Sequence, residues 1–487
     1  MVRFNDPLST LRGSILTSEN MKTKIKKYRK FILPKEIVEA IVYTAQQVPF
    51  EGECLLPVCF SVVNDIIKKS PEYNRSDDNR FYIPMYSSGY LKVKYGNNYA
   101  SYMRWMVIYN ILYSTEAYKD NCTYYFLQNP DTYSSLCTTM YSKDSVDVYT
   151  YCLEENIEIS PVPAVFKGMK EINKNRIYND WYEVKIPINR GNKRYLTRQY
   201  EDDSKFINNA PHHIKKMGQA YRKISIRYDE AKAFIENQYI NELYSSSKPE
   251  EISAAYYRYA SRLNSINEIS NGKKNKSLRF SRNATNNRLD TNLTNMASDL
   301  RKFIVGIEDM VYIDLKNSQP VLFNLMLNDY REGASPQLLE EIEKYKQLTA
   351  TGKWYEYLGG LFQADREFGK QIWMKIAYSK NSSNKDAKKI IKNDFPLMME
   401  IIESIKQENH ADFAIGLQKL ESNIFIDEIC RALVKASIIP YSLHDGLLLP
   451  VEHESKAIEI IMSILKAHLG INPELSIEYF SEKQKLV

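Results

Sequence analysis

The sequence predicts a helix-rich α+β protein built on a small antiparallel sheet, with an additional N-terminal domain. Three features predict it. In Val311-Tyr-Ile-Asp-Leu-Lys-Asn-Ser-Gln-Pro320, the apolar Val311, Ile313 and Leu315 alternate with Tyr312 and Asp314. That is the pattern of a short buried strand ending on a carboxylate, with Pro320 stopping it. In residues 438–450 two apolar runs flank His444-Asp445-Gly446, a hairpin signal. Long segments of helical periodicity, among them 229–244, 249–269 and 455–469, fill much of the remainder.

The bulk numbers set wide bounds. At 487 residues, 44% hydrophobic and 26% charged, the chain can bury a sizeable core in about three subdomains. The net charge of +6 is compatible with a nucleic-acid partner without requiring one. No run approaches the 18 or so apolar residues of a membrane span, and the first residues lack the apolar region of a signal peptide. Six cysteines, with no zinc-like spacing, read as reduced thiols. These points predict a soluble, intracellular, cytoplasmic protein with no membrane partner.

Along the chain, residues 22–30 are strongly basic, and helices are expected at about 34–48 and 58–69, with 80–84 extended. Residues 87–96 read as short and turn-rich. A helical pattern over 97–118 places Tyr102, Trp105, Ile108 and Leu112 on one face. With Trp181 to Pro187 as a wing, residues 1–200 suggest a winged-helix-like module or a plain packing domain that binds nucleic acid or a partner. His212 and His213 are adjacent and so share no helical face, which suggests surface residues. Residues 272–282 form a cationic stretch suited to a linker or to phosphate contacts.

Between the two aspartates lies the most informative segment. Arg366, Lys370, Met374 and Tyr378 recur every four residues and line one face of a helix. Two cations followed by a ring suit a nucleoside triphosphate, with the cations on phosphate and the ring on sugar or base. Upstream, Arg288 and Arg301 flank a run rich in amide side chains that suits sugar and phosphate contacts. Asp314 and Asp445 are the carboxylates that a two-metal phosphoryl-transfer site requires. Taken singly, each would be an ordinary strand end or turn.

Taken together, residues 285–487 resemble the palm and fingers of single-subunit nucleic-acid polymerases, the superfamily of family-A DNA polymerases and phage- and mitochondrial-type RNA polymerases. The resemblance rests on Asp314 at a strand end, on Arg366-x₃-Lys370-x₇-Tyr378, and on His444-Asp445 in a hairpin, in that order. Residues 288–295 with Arg301 are similar to the segment preceding the first motif, and 417–422 resemble more weakly the helix preceding the third. The resemblance implies a right-hand polymerase fold. Its palm would be 285–320 and 417–487, its fingers 321–416, with a helical thumb-like region at 201–284 after the N-terminal domain 1–200.

It also implies roles. Asp314 and Asp445 would hold two Mg²⁺ ions, for which Mn²⁺ could substitute, and with Lys370 would be catalytic. Arg366, Lys370, Tyr378, Gln319 and Met374 would bind the nucleotide. Arg288, Arg301, His444 and Gln418 would contact the DNA or RNA primer–template. Gln319 stands where DNA polymerases of this superfamily usually carry Glu and RNA polymerases Gly, so its bulk slightly favours deoxynucleotides. Ser379 stands where the family usually has Gly after the motif tyrosine. The alternatives are a phage-type RNA polymerase, a priming or template-independent nucleotidyltransferase, and a catalytically dead DNA-binding replication protein. Compactness and composition suggest a mobile element or phage.

Overall fold

The computed structural model describes residues 27–50, 56–73, 82–84, 88–114, 124–128, 130–141, 143–162, 181–245 and 249–480. Most of the basic stretch 22–30, Cys54, Cys122 and the last seven residues lie outside them. The chain divides into two compact units, 1–198 with 235–277, and 199–234 with 278–487. No disulfide joins described residues, and no described helix is long and apolar enough to cross a membrane.

The first unit contains strands β1 (Tyr28–Pro34), β2 (Tyr82–Pro84), β3 (Leu112–Ser114), β4 (Tyr124–Leu127), β5 (Glu158–Pro161) and β6 (Trp181–Pro187). They form two three-stranded antiparallel sheets, ordered β1-β6-β5 and β2-β4-β3. Helices Lys35–Gln47, Leu56–Tyr73 and Pro249–Ile269 accompany them. Strand β1 lies at an edge of its sheet, where unpaired backbone groups need partners. Asn264 of the Pro249–Ile269 helix meets that need: its Oδ1 accepts from the Ile32 N–H at 2.8 Å, and its Nδ2 donates to the Ile32 carbonyl at 3.2 Å.

Several local expectations change here. Residues 88–95 are a helix rather than turns. The helix expected over 97–118 spans only Tyr99–Ile108, because Asn110 adopts a left-handed conformation (φ 56°) and the chain re-enters as β3. Ile108 is therefore exposed, and Leu112 is buried from a strand. The 181–187 strand exists but lies in the middle of its sheet, and the turn after it enters the Lys193–Asn209 helix instead of a second wing strand.

The second unit contains β7 (Phe280–Arg282), β8 (Leu289–Thr291), β9 (Met310–Leu315), β10 (Tyr441–Leu443), β11 (Gly446–Pro450) and β12 (Leu475–Tyr479). Strands β7 and β8 pair as a hairpin, so the 272–282 stretch is structured, with Leu278 and Phe280 buried. The other four form an antiparallel sheet ordered β10-β11-β9-β12. Alternation buries Val311, Ile313 and Leu315 of β9, while β11 is buried from Gly446 to Leu449. The helix Glu454–Leu469 packs Ala457, Ile461, Leu465 and Leu469 inward and ends on Gly470 in the left-handed conformation.

Pro320 does not stop the chain. It sits in the first turn of the helix Ser318–Asn328, where its missing N–H costs nothing. The block 336–365 is two helices, Pro336–Ala350 and Trp354–Leu361, separated at Gly352 (φ +65°). His213 is buried, on the inward face of the helix His212–Tyr221 with Ile214 and Met217, not on the surface as its neighbour's sequence position suggests.

Candidate active site

Each site residue is placed by a specific element. Asp314 is the penultimate residue of β9, whose backbone is paired on both sides: Asp314 stands opposite Gly446 of β11 and Ser476 of β12. Asp445 lies in the two-residue turn His444-Asp445 that joins β10 to β11, and its carbonyl accepts from the Leu315 N–H at 3.3 Å. The turn is thus His-Asp, not Asp-Gly, with His444 in the left-handed conformation (φ 67°). Gly446 serves a different need, because a Cβ there would collide with the Tyr312 ring. The absent side chain lets Tyr312 lie across the hairpin with its hydroxyl donating to Asp314 Oδ1 at 3.3 Å.

The two carboxylates sense each other. Asp314 is held well above the usual carboxylate range, first by burial and then by the charge of Asp445; Tyr312 pulls it back and Glu421 pushes it further up. Asp445 is raised too, by burial, with Arg288 and Lys370 among the groups opposing the shift. A crowded pair of acidic oxygens fits the hard, oxygen-seeking chemistry of a divalent cation. Among the described residues no cluster of three or more His, Cys, Asp and Glu completes a purely protein cage. Mg²⁺ is commonly held by one or two carboxylates and retains water and substrate ligands for the rest of its shell.

The Arg366–Tyr378 helix has the expected bounds, capped at its start by Asp365 Oδ1 accepting from the Phe368 N–H at 2.9 Å. Gly369, Ile372, Trp373, Ile376 and Ala377 form its buried face. Trp373 enters an aromatic core with Phe323, Tyr345, Trp354 and Phe413, and Gly369 lets the helix touch the backbone of Trp354–Leu361. This packing leaves Arg366, Lys370 and Met374 exposed and Tyr378 half-buried. Lys370 has no ion pair or hydrogen bond among the described residues, yet its charge acts on Asp445. Arg366 pairs with Glu356 at 3.0 Å and donates to Asn317 Oδ1 at 3.3 Å, over the ring of Tyr355.

The aromatic end of that face joins the first motif. Gln319 Nε2 donates to the Tyr378 hydroxyl at 2.8 Å, Gln418 Nε2 does so at 3.3 Å, and Asn286 Nδ2 donates to Gln418 Oε1 at 3.0 Å. Ser379 fits an ordinary extended backbone (φ −91°), so the replacement of glycine causes no strain. Two buried lysines secure the turn that follows. Lys406 donates to the Ile376 carbonyl at 2.5 Å, and Lys388 to the Lys380 and Asn381 carbonyls. Burial, and then the nearby Lys388, bring Lys406 down to about 8.

Of the other expected residues, Arg288 forks onto buried Glu421, with Nε to Oε1 at 2.8 Å and Nη2 to Oε2 at 2.6 Å. Arg301 has a buried Nε without a partner among the described residues and acts electrostatically on Tyr312 and His444. His444 is pushed down to about 4, by burial and then by Arg288 and Arg301, so it is neutral at physiological pH. Its Nδ1 is buried and unpartnered among the described residues.

Sequence reasoning missed Glu421, Tyr355, Tyr312 and Asn317. Glu421 could have been found three residues after Gln418, on the same helical face. It also missed a π-helical segment, Asn423–Ile429, inside the run from Asp412 to Lys435. In an α-helix residues five apart point about 140° from each other, whereas i→i+5 bonding returns them to one face. Ser422 and Asp427 are such a pair, and both receive Arg282: Asp427 Oδ1 at 2.8 Å, Asp427 Oδ2 at 2.5 Å and Ser422 Oγ at 3.4 Å.

No protein-family model matches the chain, and no curated protein matches it. Among solved structures it is similar to the POL domain of Pol1 from M. smegmatis in complex with DNA primer-template and dNTP. The TM-score is 0.41 at 11% identity, over 57% of this chain and 70% of that one.

Proposed function

We propose that this chain is a template-directed nucleic-acid polymerase of right-hand architecture, transferring nucleotides with DNA synthesis slightly favoured over RNA synthesis. The observation that carries it is the meeting of three separated segments: Asp314 beside Asp445, with Lys370, unpaired among the described residues, acting on Asp445, and Tyr378 tied to Gln319. Asp314 and Asp445 would hold Mg²⁺, or Mn²⁺ in its place, which when bound activates the attacking hydroxyl and neutralises phosphate charge.

The primer 3′-hydroxyl attacks the α-phosphorus, the bond to the bridging oxygen breaks, and pyrophosphate leaves as the hydroxyl proton is lost. Lys370 and Arg366, on the exposed face of their helix, meet the triphosphate and offset charge gathering on pyrophosphate. Met374 and Tyr378 continue that face toward sugar and base. Arg301, neutral His444, Gln418 and Arg288 lie toward the primer–template. The N-terminal unit would bind template or a partner.

Gln319, held by Tyr378, is the group that would meet a 2′-hydroxyl. The test is extension of a labelled primer–template with Mg²⁺, with dNTPs and NTPs run in parallel and an Asp445→Ala control. Extension by the wild type alone supports the proposal. No extension with either nucleotide set, with or without primer, overturns it in favour of a non-catalytic binding protein. Gln319→Gly is expected to raise NTP use relative to dNTP use by about 10–100-fold, since relieving a steric block is worth one to three kcal/mol. An unchanged ratio removes Gln319 from sugar selection.

A further inference from the structure

The buried carboxylate of Glu421 has no role in the chemistry above, yet it is 1% exposed and fully engaged. It takes two donors of the Arg288 guanidinium in a bidentate fork. The segment carrying Arg288 is fastened to the same helix at three further points: Arg282 on Asp427, Asn286 on Gln418, and the Ser422 hydroxyl on the Asn287 carbonyl. Leu289, the residue after Arg288, lines one small cavity with Tyr441 and Ser442 of the strand that leads into Asp445, and the guanidinium lies within electrostatic reach of Asp445. An arginine released from Glu421 has the Asp445 carboxylate within that reach, and a bidentate pair there would occupy the oxygens a cation needs.

We propose that Glu421 is a positioning residue that keeps Arg288 off Asp445, so that the Asp314–Asp445 pair stays open to a divalent cation. This rests on the cation site proposed above. It extends it by assigning a competitor to that site and a residue that restrains the competitor.

The experiment titrates Mn²⁺ alone into the full chain, without nucleotide or primer, and reads binding by calorimetry and electron paramagnetic resonance. Thermal melts followed by circular dichroism accompany each variant. Glu421→Gln keeps shape and removes charge, and is expected to weaken Mn²⁺ binding by about tenfold, the factor that 1.4 kcal/mol represents. Adding Arg288→Met to it is expected to restore affinity to within about threefold of wild type, because the competitor is gone. A purely structural role would lower the melting temperature and leave the affinity of the folded fraction unchanged.

Binding by Glu421→Gln equal to wild type overturns the inference, as does a double variant that remains weak. If Glu421→Gln does not fold, Arg288→Met alone decides: affinity equal to or tighter than wild type supports the inference, and weaker binding overturns it. A wild type that binds Mn²⁺ no better than Asp445→Asn overturns the cation site itself, and the inference with it. That failure is recognisable because it appears in the wild type.

Discussion

Asp445→Ala is expected to cut nucleotide incorporation by about 10³-fold or more while the protein folds normally, since electrostatic stabilisation of this kind is commonly the largest catalytic contribution. Asp314→Asn should do the same. The two sites offer a second signature, in stability. Asp314 is held above its ordinary range by burial and by Asp445. Without metal, the native state therefore binds more protons than the unfolded chain over the interval between the ordinary carboxylate value and the raised one. Stability must fall as pH rises through that interval. Metal-free Asp314→Asn should then melt a few degrees higher than wild type at pH 8, on the order of 1 kcal/mol. The gap should close toward and below about pH 4, where wild-type Asp314 is protonated in the unfolded chain as well as in the native state. Mg²⁺ should reverse the order by stabilising only the wild type. A loss of activity accompanied by a lower melting temperature at every pH would mean that Asp314 supports the fold, not the reaction.

Lys370→Met is expected to lower the rate of incorporation by about 10²–10³-fold, with primer–template affinity unchanged. Lys370 has no protein partner to lose among the described residues, so its removal should cost little stability. Its charge reaches Asp445, and in the proposed reaction it is spent on the leaving pyrophosphate, where charge grows only in the transition state. Single-turnover measurements separate the contributions. A fall in rate at saturating nucleotide is the expected result, and a change confined to nucleotide affinity would assign Lys370 to ground-state binding alone. Arg366 is already shared with Glu356 and Asn317, so Arg366→Ala should disturb both binding and the local structure.

Much of the candidate site's local structure was legible because its signals are local. The four-residue spacing of Arg366, Lys370, Met374 and Tyr378 defines a helical face whatever the rest of the chain does, and the alternation in β9 defines a strand face. The hairpin at His444-Asp445 was legible for the same reason. What was hidden depends on distant partners. Glu421 reads as one helical glutamate among many until Arg288, 133 residues away, is placed against it. The pairing of β1 with β6 joins residues about 150 positions apart and has no local signature. The π-helical segment leaves the apolar pattern nearly intact, since Ile424, Phe425, Ile426 and Ile429 remain buried through it. Asn110 illustrates the converse: a single left-handed residue ended a helix that apolar spacing would have continued.

The placement of the two acidic residues has a mechanical consequence. Asp314 belongs to a strand paired along both edges, so its position can change only by opening the sheet. Asp445 belongs to a turn whose leading strand, β10, is an outer strand three residues long. In hydrogen–deuterium exchange the amides of 311–315 should be released only by global unfolding of their unit, and those of His444 and Asp445 by shallow local opening. Equal protection of both would contradict this. The arrangement sets one carboxylate on a strand held along both edges and the other on a turn, and in the proposed cation site such a grip would accommodate cations of slightly different radius without rebuilding the sheet.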